Sequence, residues 1–325
     1  MRINTALVLS ILSCSNAIYA EYNDIMYLFC HGLGCNATQS HYYEKVHDAK
    51  HIEPASLPQR IMLPAKRGSD YSWYFENPDD LEFWVIKHPI ISFNFPDAHA
   101  KRGFDRTKTS LGQQNEILAL SNAYHQAKEK SYGIILVGMS RGASVIINFL
   151  GLNKPEQVIA AIVESPFDSV LNALQTQLQK SKITWIPDFI AATSPYVLFG
   201  KYNRNGIYPI DAADKIQSDL PMLIVCSLED TVIPAFNSAQ IYLKLQETNH
   251  EHAHLLIINK GIHGHLLWHA DGDLYLNCVH AFYKKYGLAH NPTLALHGEH
   301  ILAQCQPSKK MVEQSIASNV SFITR

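Results

Sequence analysis

Apolar residues in this chain gather in short unbroken runs, each closed by a glycine or an acidic turn. Ile25-Met-Tyr-Leu-Phe-Cys30 is followed by His-Gly, Gly133-Ile-Ile-Leu-Val137 by a second glycine, and Val158-Ile-Ala-Ala-Ile-Val163 by Glu164. Pro221-Met-Leu-Ile-Val-Cys226 runs into Ser-Leu-Glu-Asp230, and His254-Leu-Leu-Ile-Ile258 into Asn-Lys-Gly261. Runs of this length without polar alternation read as buried strands. After the second run the period changes. Ala143, Val145, Ile146, Ile147, Phe149 and Leu150 read as a helix, and 272–286 reads as the final one. Between Glu164 and the strand at 221 lies an excursion of roughly fifty residues, too long for a plain crossover. It carries apolar clusters at Val170–Leu174, Ile183–Ile190 and Tyr196–Phe199. Beyond 287 the periodicity fades except over Lys309–Gln314, so residues 289–325 are expected to be an appended tail.

The turn between the second strand and its helix is Gly138-Met-Ser140-Arg-Gly142. A serine on so tight a turn needs neighbours two positions away that are nearly without side chains, and its hydroxyl is thereby pushed out above the sheet. The helix that follows brings its N-terminal amides and positive dipole end beneath that hydroxyl, where a negative oxygen would be stabilised. Asp230 leaves the end of the buried strand at 221–226, and His263 lies in the loop Gly261-Ile-His-Gly-His265 that leaves the strand after it. An acid and a histidine so placed can serve a serine nucleophile, the histidine taking its proton and the acid fixing the tautomer. His263 is preferred to His265 because it stands between glycines, whereas His265 abuts Leu266-Leu-Trp268. Glu164, at the end of its own strand, is a rival acid. Asp230 is preferred for its Leu-Glu-Asp-Thr-Val-Ile-Pro setting.

These motifs resemble the α/β-hydrolase superfamily over about residues 24–286, in the chain order Ser, Asp, His. The early strand ending in His31-Gly32-Leu33-Gly34 is similar to the loop that supplies one oxyanion-hole amide in that superfamily. His88-Pro-Ile-Ile-Ser-Phe-Asn-Phe-Pro-Asp97, with Arg102-Gly-Phe104 and Ser110-Leu-Gly112, is similar to the strand, acidic turn and helix that precede the serine turn there. The resemblance implies a mostly parallel central sheet with helices on both faces. It also implies a helical cap inserted at about 167–219, which would select the substrate. Ser140, Asp230 and His263 would be catalytic, the backbone N–H groups of Leu33 and Arg141 the oxyanion hole, and His31 a brace for its loop. It implies no cofactor. The expected activity is hydrolysis of a small-molecule ester or acylated substrate through an acyl-enzyme. A serine peptidase of the prolyl-oligopeptidase type is the alternative. It uses the same residues but usually carries a propeller domain, which does not fit here. A binding protein on the same shell is the third reading, disfavoured by the complete residue set.

Composition bounds the rest. With 325 residues, 47% hydrophobic and 17% charged, the chain can bury a large core, and one domain of about 21–288 with an insertion is the economical reading. A formal charge of −2 without a Lys/Arg run disfavours nucleic acid as a partner. Arg2, the apolar stretch Ala6–Leu12 and the small residues through Ala20 have the layout of a secretory signal, cut after Ala17 or Ala20. Ile11-Leu-Ser-Cys14 is an imperfect lipoprotein box, which would make a lipid anchor the only membrane contact. The expected location is secreted or cell envelope. Cys30, Cys35, Cys226, Cys278 and Cys305 remain after such a cut; Cys278 with Cys305, and Cys30 with Cys35, are the candidate bridges. His263, His265, His269, Asp271 and Asp273 resemble a metal set by spacing, but the helix at 272 and the demand on His263 argue against one, and no metal is expected. Aromatic residues 73–75 and 83–84 are assigned to packing. Asn36-Ala-Thr38 and Asn319-Val-Ser321 fit the glycosylation pattern.

Overall fold

The computed structural model describes residues 25–35, 37, 90–98, 104–173, 195, 199–203 and 205–323. The proposed signal, the aromatic residues 73–84, Asn36 and most of the apolar clusters at 174–198 lie outside them. Among the described residues six strands form one sheet in the order β2-β1-β3-β4-β5-β6. They are β1 Ile25–Cys30, β2 Ile90–Ser92, β3 Gly133–Met139, β4 Val158–Glu164, β5 Met222–Ser227 and β6 Ala253–Ile258. Every pairing among them is parallel. The α-helices among the described residues are, in chain order, α1 Gln114–Lys128, α2 Arg141–Asn153, α3 Pro209–Ala213, α4 Ala235–Glu247, α5 Gly272–Lys285, α6 Pro292–Gln304 and α7 Lys309–Ser318.

The unbroken apolar runs are explained by helices on both sides. In β3, Ile134 and Leu136 join the core that also holds Leu120 of α1, Ile146 of α2 and Ile241 of α4. Ile135, Val137 and Met139 of the same strand point the other way, into the core with Tyr275 and Val279 of α5 and Ile301 of α6. Strand side chains alternate between faces, so a strand covered twice has no position left for a polar residue.

The segment after 289 departs from a simple tail. Asn291 caps α6 by accepting from the amides of Thr293 and Leu294, and Pro292 occupies its first turn. Ser308 caps α7 in the same way through the amide of Met311. α6 lies close against α5: a Cβ added at Gly298 would stand 2.0 Å from the carbonyl oxygen of Asn277. The same segment meets β6, where the Leu255 amide donates to the Cys305 carbonyl at 2.7 Å, Gln306 Nε2 to the Ala253 carbonyl, and Ser321 Oγ to the Ile257 carbonyl.

Candidate active site

In parallel sheets ligands bind outside the carboxyl ends of the strands, where the strand order reverses direction. Here the chain passes from β1 outward to β2 and returns to β3 on the other side of β1, so the crevice lies between the ends of β1 and β3. His31–Gly34 leaves β1 at that point, and Ser140 leaves β3.

Ser140 has φ 54 and ψ −119, a backbone region that side chains rarely adopt. Its amide donates to the Glu164 carbonyl at 2.7 Å, which ties the turn to β4. The flanking glycines are dictated by close approach. A Cβ on Gly142 would lie 2.0 Å from the Cys30 carbonyl oxygen, and one on Gly138 2.6 Å from Ile146 Cδ1 and 2.8 Å from the Gly142 carbonyl carbon. α2 can therefore start directly against β1 with Ser140 at its N-cap, beside amides that have no partner within the helix.

The structure brings Ser140, His263 and Asp230 into one hydrogen-bonded chain. Asp230 is buried, and its Oδ1 accepts from the amides of Val232 at 2.8 Å and Ile233 at 2.9 Å. Its Oδ2 is left for His263 Nδ1, at 2.7 Å. With Nδ1 donating to the carboxylate, Nε2 is the acceptor on a neutral ring, and it stands 2.9 Å from Ser140 Oγ. Ser140 Oγ–H thus points its proton at a base that is already oriented.

At His265, burial, with His263 and His269 adding to it, lowers the pKa to about 4. The Glu164 carboxyl is buried at the end of β4, whereas Asp230 stands against His263 Nδ1. Among the described residues no cluster of His, Cys, Asp and Glu is arranged to hold a metal ion. Asp271 has another use: its Oδ2 accepts from the amides of Asn259 at 3.0 Å and Lys260 at 2.9 Å, holding the loop that carries His263. Sequence reasoning placed Asp271 only in the metal set. The usable signal was an acid just ahead of the α5 start, within reach of the β6 exit.

Leu33 is exposed on the loop after β1, and Arg141 opens α2. The Arg141 side chain is wholly buried, with Nη1 on Asp97 Oδ2 and, at 3.2 Å, on Glu116 Oε1. Burial pushes the Glu116 carboxyl upward against the pull of Arg141 and the Gly112 amide. Cys278 and Cys305 face each other as thiols, sulfur to sulfur at 3.7 Å, and Cys30 and Cys35 are also unbonded.

The prolyl oligopeptidase family model matches residues 113–299, from the start of α1 to the middle of α6. No curated protein sequence matches the chain. Among solved structures, an esterase of Pyrococcus furiosus superposes with a TM-score of 0.52 at 17% identity, over 81% of this chain and 82% of the esterase. An acylaminoacyl peptidase of Pyrococcus horikoshii superposes with a TM-score of 0.50 at 14% identity, over 84% of this chain but 38% of the peptidase. At these identities the neighbours establish the α/β-hydrolase fold. Because the matched span holds the Gly-x-Ser-x-Gly turn and covers more than half of the sequence, this chain belongs to the prolyl oligopeptidase family and is a serine hydrolase of the α/β-hydrolase superfamily.

Proposed function

We propose that the protein hydrolyses a carboxylic ester through Ser140, His263 and Asp230. The observation that carries this is the 2.9 Å contact from His263 Nε2 to Ser140 Oγ, with Asp230 on the other ring nitrogen. Ser140 Oγ attacks the acyl carbon as its proton passes to His263 Nε2, and Asp230 stabilises the imidazolium. The negative oxygen is received by the amides of Leu33 and Arg141. His263 then gives the proton to the departing alcohol, leaving an acyl-enzyme. Water attacks next, losing its proton to His263, which returns it to Ser140 Oγ as the acid leaves.

The ester is preferred because the sequence shows no charged clamp for a peptide end. The described parts of 167–219 support a cap: Phe167, Val170 and Tyr202 pack with Ile233, three residues beyond Asp230. Export through residues 1–20 belongs to the same proposal. The family match favours a second reading, cleavage of a peptide amide. One experiment separates them. The purified protein is labelled with a fluorophosphonate, and p-nitrophenyl esters of graded length are compared with aminoacyl and peptidyl amides. Labelling at Ser140, lost in Ser140→Ala, with kcat/KM far higher for esters supports the proposal. Comparable turnover of amides replaces it with the peptidase, and labelling that survives Ser140→Ala removes Ser140 as nucleophile.

A further inference from the structure

The carbonyl of Gly32 is held by an unusual number of donors. His31 Nε2 accepts the Phe95 amide at 3.0 Å, so the neutral ring carries its proton on Nδ1, which donates to Gly32 O at 2.8 Å. Burial and the neighbouring Arg141 keep this imidazole neutral, with its pKa lowered to about 3. Arg141 Nη2 donates to the same oxygen at 3.3 Å, and the Cys35 amide reaches it at 3.4 Å, closing a turn in which Gly34 has φ +77. The guanidinium is itself fixed from three sides by Asp97, by Glu116 and by the Phe95 ring, 4.7 Å from its centre. Thr109 Oγ1 in turn donates to Asp97 Oδ2 at 2.7 Å.

The oxygen of Gly32 and the N–H of Leu33 belong to one planar trans peptide and point in opposite directions. A carbonyl anchored in the buried cluster therefore turns the Leu33 N–H out of it. We propose that the Arg141 side chain, with His31, is a positioning residue for the reaction at Ser140: by gripping the Gly32 carbonyl it aims the Leu33 amide at the oxygen of the tetrahedral intermediate. Arg141 then serves the same oxygen twice, through its own backbone N–H and, at a distance, through its guanidinium. This rests on Ser140 being the nucleophile, as proposed above.

The test uses the full chain and the p-nitrophenyl ester that the wild type turns over fastest. A trifluoromethyl ketone of the same acyl length serves as tetrahedral analogue, and the corresponding methyl ketone as ground-state analogue. Arg141→Lys keeps the charge but cannot grip Asp97 and Gly32 O together. His31→Leu removes one donor without touching the acids, and His31→Asn restores an N–H near the position of Nδ1. In Arg141→Lys and His31→Leu we expect kcat to fall about a hundredfold, the scale of losing one oxyanion donor. KM and methyl ketone binding stay within about threefold, trifluoromethyl ketone binding weakens in step with kcat, and His31→Asn recovers most of the loss. If Arg141→Lys does not fold, the His31 pair decides. Folded variants that keep kcat, or lose both ketones equally, overturn the inference while leaving Ser140 in place. A wild type that is not labelled at Ser140 overturns both.

Discussion

Ser140 occupies a backbone region where a side chain costs on the order of 1–3 kcal/mol, and the packing of Gly138 and Gly142 holds it there. Strain kept at a reactive residue is expected to be released by glycine. Ser140→Gly should lose activity and yet unfold about 1 kcal/mol later in urea than the wild type, since glycine is at ease at that φ and ψ. A midpoint at or below the wild-type value would mean the turn is not strained. The two histidines differ at the same scale. His263→Ala removes the ring that meets Ser140 Oγ and should lower kcat by about a thousandfold or more. His265→Ala removes a half-buried ring two residues away and should cost far less. Steady-state kinetics on the two folded variants checks this, and a reversed order would move the base to His265.

At the scale of elements, the site depends on how loops are tied to the sheet. Asp271 satisfies two amides at the exit of β6, so Asp271→Ala should destabilise the fold by about 1–3 kcal/mol and loosen the His263 loop. Urea unfolding together with kcat would show both effects, and an unchanged midpoint would remove Asp271 from this role. Much of the architecture was legible because strands covered on both faces must be apolar throughout: β1, β3, β4, β5 and β6 stand in the sequence as unbroken runs. The Ser140 turn was legible because its glycines are required by backbone approach, which leaves a fixed spacing. α6 was missed for the complementary reason. Its closest approach to α5 is made at Gly298, which carries no hydrophobic signal, and the Asn291-Pro292 cap marked its start. The Arg141 cluster was invisible because it joins Asp97, Glu116 and Arg141 across the first half of the domain. A charged residue inside an otherwise apolar segment was its only trace.

For the molecule as a whole, buried imidazoles set the response to acid. Burial lowers the pKa of His31, His254 and His280 to about 3 in the folded state, while the unfolded chain takes up those protons near 6.5. Between these values the unfolded state binds more protons, so stability is full above about pH 6.5 and declines as pH falls. Each ring contributes up to about 1.4 kcal/mol per pH unit. Glu116 and Asp168, raised by burial, act with the opposite sign but are fewer. The urea midpoint should therefore drop steadily from pH 7 to pH 4.5, and a flat profile would contradict buried neutral histidines. The bonds that the C-terminal segment makes to β6 have a different consequence. Among the described strands β6 is the last of the sheet, and an uncovered outer strand offers its free amides and carbonyls to any other chain. The carbonyl of Cys305 takes up the Leu255 amide, while Gln306 and Ser321 occupy the carbonyls of Ala253 and Ile257. Residues 289–323 thus act as a guard against sheet-to-sheet assembly. A chain ended after Leu288 should associate through β6, giving concentration-dependent light scattering and thioflavin binding that the full chain lacks, and a monodisperse truncated protein would show that the edge needs no such cover.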